Sequence, residues 1–197
     1  MPASVRTLTL ADVALPRPDV LRNALLIVAA SLATGLAAQV AFPLPWTPVP
    51  VTGQSFAVLL TGMVLGSRRG FLALALYLAE GVAGLPVFAG GAAGVPVLLG
   101  PTGGYLLAFP LAAAVTGLLA ERGWDRHRLS TLAAMLLGSS VIFAGGLAGL
   151  ARFVPPAQLL SAGLLPFVPG DVVKAALAAL AFPLAWGRLN RRSGIDA

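Results

Sequence analysis

The chain has 197 residues, of which 58% are hydrophobic and 10% charged, with a formal net charge of +6. Soluble domains carry about 25% charged residues, so this is the composition of a membrane protein; its arginines lie in short clusters between apolar runs, the pattern of membrane topology and not of nucleic-acid binding. Cysteine is absent and His127 is the one histidine, which excludes disulfides, thiolate metal sites and a histidine-rich metal centre.

Residues 1–20 are polar and proline-containing, and read as a short cytoplasmic N-terminal segment. An apolar run predicts a first helix over 21–41. Arg17, Arg22 and the small residues of "GLAAQ" also fit a cleaved signal peptide, but 24–42 is long enough for a bilayer, which needs about 17–25 residues. "FPLPWTPVPVTG" interrupts helix geometry with four prolines and reads as a structured loop. A second helix is predicted over 54–65, "GSRRG" as a tight basic turn, and a third helix over 71–83. "GLPVFAGGAAGVPVLLGPTGG" is a second long irregular segment. A fourth helix over 105–119, the charged turn "ERGWDRHR" and a fifth helix over 129–150 follow. "ARFVPPAQLLSAGLLPFVPG" is a third loop; a sixth helix covers 171–189, and 190–197 form a cytoplasmic tail.

The expectation is an all-α membrane protein with six transmembrane helices in one domain over 21–189. Irregular backbone cannot face lipid with its N–H and C=O groups unpaired. The long loops are therefore expected to fold back and form a ligand pocket. Eleven basic residues fall before the first helix, between the second and third, between the fourth and fifth, and after the sixth; only Arg152 lies in the opposite loops. By the positive-inside rule both termini are cytoplasmic and the long loops extracytoplasmic.

Asp171 and Lys174, the only lysine, interrupt the apolar run "FVPGDVVKAALAAL". Their i,i+3 spacing puts them on one helix face, with Asp171 in the first turn, where the helix dipole favours an anion. Either they neutralise each other at the membrane edge, or they meet a ligand, the default for ionisable groups inside a membrane. Gln54, after Thr52 and Gly53, either caps the second helix or offers its amide to a ligand. Tyr105 is an interfacial tyrosine or a stacking face with a hydroxyl. Glu80 is expected to face the cavity or a partner, or to reach the interface. Val87 and Phe88 either cover a ligand or anchor their loop, and Gly90, Gly91 and Gly94 allow close backbone approach. His127 lies between Arg126 and Arg128 in a solvated turn. No glycine-rich stretch carries a Walker lysine, so no nucleotide site is expected. An intramembrane enzyme would need an activated nucleophile; Ser139 and Ser140 have no base on a nearby turn.

In this order, "PVPVTGQ", "GLPVFAGG", "GPTGGYLLAF" and "FVPGDVVKA" resemble the BioY family, the biotin-binding S components of energy-coupling factor (ECF) vitamin transporters. The resemblance covers 46–179. It implies a six-helix protein of a prokaryotic cytoplasmic membrane that captures biotin from outside, without covalent chemistry or cofactor. It also implies assembly with a transmembrane coupling (T) subunit and two ATP-binding cassette ATPases that use the ATP. The family's Pro-Gly-Asp-x-x-Lys motif falls on Pro169, Gly170, Asp171 and Lys174. On that reading Thr52, Gln54, Glu80, Val87, Phe88, Gly90 and Tyr105 join Asp171 and Lys174 as substrate-binding candidates. Biotin's ureido ring offers two N–H donors and a carbonyl. Asp171 can accept an N–H, while Lys174 can donate to the carbonyl or to the distant valerate carboxylate. Ala29, Ala33 and Ala37, spaced by four, make a smooth stripe that packs inside the bundle or, as the resemblance implies, faces the coupling subunit. Another vitamin, or transport without partners, stays open.

Overall fold

The computed structural model describes residues 8–15 and 19–193. The N-terminal segment contains a short helix, α1 (Leu10–Ala14), closed by a capping box between Thr9 and Asp12. α2 (Val20–Gln39) follows. The first proline-rich segment, expected as a loop, is an antiparallel hairpin, β1 (Ala41–Leu44) and β2 (Thr47–Thr52), pairing Ala41 with Thr52 and Leu44 with Thr47. Proline's fixed φ suits extended backbone, and the register slips between Phe42 and Leu44, where Pro43 withholds its N–H.

α3 (Gln54–Leu65) and α4 (Ser67–Val82) are separated by Gly66 alone. The basic turn expected at 66–70 is therefore the first turn of α4, and Gly66 makes the reversal at φ 84°, a conformation glycine adopts freely. Glu121 reaches across to cap α4, accepting from the backbone N–H of Ser67 at 2.7 Å and its hydroxyl at 2.8 Å. The segment after α4 holds a 3-10 turn (Ala89–Gly91) and α5 (Val95–Leu99). α6 (Gly103–Ala120), α7 (Arg128–Leu150), the short α8 (Leu159–Gly163) and α9 (Val168–Ser193) complete the order.

α6 is the central helix, packed on α3, α4 and α7. Glycine sets how near its neighbours come: a Cβ on Gly62 of α3 would lie 2.1 Å from the Ala113 carbonyl, and one on Gly104 2.3 Å from that of Gly145. Val58, Met63, Leu74, Met135 and Leu150 fill the core. α2 is peripheral and presents Leu25, Val28, Leu32 and Leu36 outward. Among the described residues, four stretches are long and apolar enough to cross a membrane: Val20–Gln39, Gly103–Ala120, Arg128–Leu150 and Pro156–Leu189, which includes most of α9.

At one end of the bundle α3, α6 and α9 begin and α7 stops; the opposite end gathers the start of α2, the α3–α4 junction and the α6–α7 turn. There, charges are spent on one another. Asp12 accepts from Arg69 at 2.7 Å and lies 3.7 Å from Arg22, so α1 is tied to α2 and α4. Burial works to raise the Asp12 carboxyl, but the hydrogen bonds from Thr9 and Arg69 outweigh it and hold the group below its usual range. Asp125, in the 3-10 turn Trp124–Arg126, is fully buried and accepts from the Trp186 indole N–H at 2.7 Å, while Arg126 stacks 4.4 Å over that indole. Burial pushes this carboxyl up, against the Trp186 hydrogen bond and the nearby Arg126.

Candidate ligand-binding site

A cavity of about 230 Å³ opens at the end where α3, α6 and α9 begin. The hairpin supplies one wall through Val49, Pro50, Val51 and Thr52. Tyr105, Phe109, Phe143 and Phe167 supply an aromatic one, and Phe88, Ala89 and Ala92 close a third side. Phe167 lies 6.4 Å from both the Tyr105 and the Phe143 ring centroids, at tilted angles. The Tyr105 hydroxyl donates to the Gly163 carbonyl at 2.6 Å, which anchors α8 beside the cavity.

Into this apolar enclosure α9 projects one carboxylate and one ammonium. Asp171 is 7% exposed. Lys174 Nζ donates to Asp171 Oδ1 at 3.2 Å, to Ser55 Oγ at 2.8 Å and to the Thr52 carbonyl at 3.2 Å. Ser55 Oγ in turn donates to Asp171 Oδ1 at 3.3 Å. The start of α9, the first turn of α3 and the end of β2 therefore meet at a single ion pair. An ionisable pair among apolar walls is expensive unless it is partnered, and such pairs mark ligand pathways. The arrangement can accept one N–H at the free carboxylate oxygen and stack a small ring between aromatic faces. Ser140, by contrast, spends its hydroxyl on the Leu136 carbonyl of its own helix.

A second chain of hydrogen bonds fixes the closing side. Gln54 Nε2 donates to the Tyr77 hydroxyl at 2.5 Å, and that hydroxyl donates to the Val87 carbonyl at 3.0 Å. Tyr77 is fully buried and meets Phe88 edge to face at 5.5 Å. The Phe88 ring rests on Gly81, where a Cβ would come within 2.1 Å of it. Gln39 of α2 adds a bond to the Phe88 carbonyl at 3.3 Å.

Of the residues singled out in the sequence, Thr52, Gln54, Phe88, Tyr105, Asp171 and Lys174 line this cavity; Glu80, Val87 and Gly90 do not. Glu80 turns instead to α2, where its carboxylate accepts from the Ser31 hydroxyl. Val87 contributes its carbonyl, and Gly90 turns the chain at φ 66°. The alanine stripe divides: Ala29 and Ala33 face outward, whereas Ala37 packs where Gly53 crosses α2, its carbonyl 2.8 Å from where a Cβ on Gly53 would lie. Ser55, Phe143 and Phe167 line the cavity without having been anticipated. Ser55 sits one residue after Gln54 in the first turn of α3, and that adjacency to a singled-out residue was its one signal.

The BioY family model matches residues 6–191. The probable biotin transporter BioY of Pyrococcus horikoshii is 44% identical over 133 residues, covering 68% of this chain and 78% of that protein. The biotin transporter BioY of Thermotoga maritima is 41% identical over 138 residues, covering 70% and 80%. In fold, the chain is similar to the crystal structure of an S-component for biotin from an ECF-type ABC transporter, with a TM-score of 0.73 at 23% identity, covering 90% of this chain and 93% of that one.

Proposed function

The chain belongs to the BioY family, and on that premise we propose that it binds biotin in the cavity beside Asp171 and Lys174 and serves as the substrate-capture component of an ECF-type transporter. The observation that carries this reading is the ion pair on α9 between buried Asp171 and half-buried Lys174, set in aromatic walls at the family's Pro-Gly-Asp-x-x-Lys positions. Binding is non-covalent. The fused ring packs on Tyr105, Phe143 and Phe167, and a ureido N–H meets Asp171. Equilibrium binding of labelled biotin to the purified protein tests this; no saturable binding would sink it.

The six longer helices, α2, α3, α4, α6, α7 and α9, each cross the membrane in this reading, with both termini cytoplasmic and the cavity facing outward. Arg22, Arg68, Arg69, Arg122, Arg126, Arg128 and Arg188 belong to the end opposite the cavity, and Arg152 to the cavity end, which supports that orientation. α3 has 12 residues, about 18 Å at 1.5 Å per residue, short of a hydrocarbon core about 30 Å thick. Cysteines placed at Ser67 and Ala92 label from opposite faces of the cytoplasmic membrane of a prokaryotic host; labelling from one face overturns the topology.

Nothing in the sequence binds ATP, so energy comes from partners: a transmembrane coupling subunit and two ATPases. Peripheral α2, with Ala29 and Ala33 facing outward between large apolar side chains, supports docking on that helix. Ala33→Trp blocks assembly and uptake yet leaves biotin affinity intact. If the variant instead loses biotin binding, α2 is core and not a docking face.

A further inference from the structure

Ser55 makes two of the bonds that shape the ion pair, and neither the resemblance nor the sequence pattern pointed to it. An ammonium has three N–H donors. Those of Lys174 go to Ser55 Oγ, Asp171 Oδ1 and the Thr52 carbonyl, so all three are spent inside the protein. Asp171 Oδ1 accepts twice, from Lys174 and from the Ser55 hydroxyl. Oδ2 of the same carboxylate receives no donor from any described residue, and Asp171 lines the cavity. A hydroxyl can accept and donate at once, which is what this position requires: it accepts a hydrogen bond from Lys174 and donates one to Oδ1. Without it, a Lys174 N–H loses its acceptor and is free to turn to another, and Oδ2 belongs to the carboxylate that Lys174 already contacts.

We propose that Ser55 is a positioning residue of the binding site: it holds Lys174 and Oδ1 of Asp171 together, so that Oδ2 stays free to accept a ring N–H of the ligand. The assignment rests on the reading that the cavity takes biotin. It adds that the site selects a ligand by an N–H donor next to α9, and that this selectivity depends on Ser55.

The test compares biotin with its ureido N-methyl derivatives on purified unaltered protein, Ser55→Ala and Ser55→Thr. The unaltered protein prefers biotin. Ser55→Ala weakens biotin by about tenfold, the size expected when a hydrogen bond to a charged group is lost, and leaves at least one N-methyl derivative nearly unchanged, so the preference shrinks. Ser55→Thr, which keeps the hydroxyl, restores it. Should Ser55→Ala not yield folded protein, Ser55→Cys keeps the size with a weak partner, and the same outcomes are read from it. Equal weakening of all ligands, or no weakening, overturns the assignment while the biotin reading stands. Failure of the unaltered protein to bind biotin overturns both.

Discussion

Asp171 and Asp125 are both buried carboxylates, at 7% and 0% exposure, and each has one oxygen engaged and one without a donor. At Asp125, Oδ2 takes the Trp186 indole N–H, and Oδ1 is sealed in the protein with no partner. At Asp171, Oδ1 takes Lys174 and Ser55, Oδ2 takes no donor from the described residues, and the residue lines a cavity. Burial alone therefore does not make a carboxylate a binding group. What separates the two is the space beside the free oxygen and a cation hydrogen-bonded to the carboxylate. Lys174 pairs with Asp171 at 3.2 Å beside the cavity, whereas Asp125 pins α9 to the α6–α7 turn through a tryptophan.

The comparison breaks most directly by removing each charge in turn. Asp171→Asn weakens biotin binding about a hundredfold, as expected when one partner of a buried charged hydrogen-bond pair is lost, and Asp125→Asn leaves affinity unchanged. Equal losses in calorimetric titrations of the two variants would show that the cavity does not distinguish them. Next in size, Trp186→Phe removes the indole donor of Asp125 and costs about 1–3 kcal/mol of stability. Denaturation of the detergent-solubilised protein reads this, and a biotin affinity that fell with it would mean that the two ends are not independent. Tyr77→Phe sharpens the pocket side: Gln54 and the Val87 carbonyl each lose a partner, and biotin affinity falls about tenfold. An unchanged dissociation rate in that variant would remove the segment bearing Phe88 from the site.

The smallest effect separates the two acids at the end opposite the cavity. The Asp12 carboxyl is held below 3.8, so its contribution to stability is present above that value and is lost as pH falls through its folded-state value. The Asp125 carboxyl is raised above 3.8, so its contribution has the opposite sign: present below that value and lost as pH rises through its folded-state value. Unfolding temperatures recorded from about pH 3 to pH 7 lose their acid-side decline in Asp12→Asn and part of their decline at rising pH in Asp125→Asn. Superimposable profiles for the two variants contradict these assignments.

Contrast decided what could be read beforehand. The helices stood out as apolar runs between glycine, proline and arginine. Asp171 and Lys174 stood out because charge interrupts such a run, and Gln54 because it opens one. Phe143 and Phe167 had no contrast, being apolar side chains among apolar side chains. Contrast also misled. Arg68 and Arg69 looked like a turn, yet long basic side chains reach out from a helix end, and the reversal needs only Gly66 at positive φ. Glu80, a lone acid in an apolar helix, left cavity, partner and interface open. Its partner, Ser31, is 49 positions away on α2, and packing between helices leaves no periodic mark in sequence. The hairpin was hidden by its prolines, which argue against helix without choosing between coil and extended chain.

Those prolines have one more consequence. A two-stranded ribbon ordinarily leaves open edges, and an open edge is a template on which a strand from another molecule can add. Along β2, Pro48 and Pro50 have no N–H to offer, and the N–H of Val49 is taken by the Thr47 hydroxyl at 3.1 Å. Three successive positions thus present no free donor to an incoming chain. Along β2 the ribbon is guarded against strand addition by its own composition.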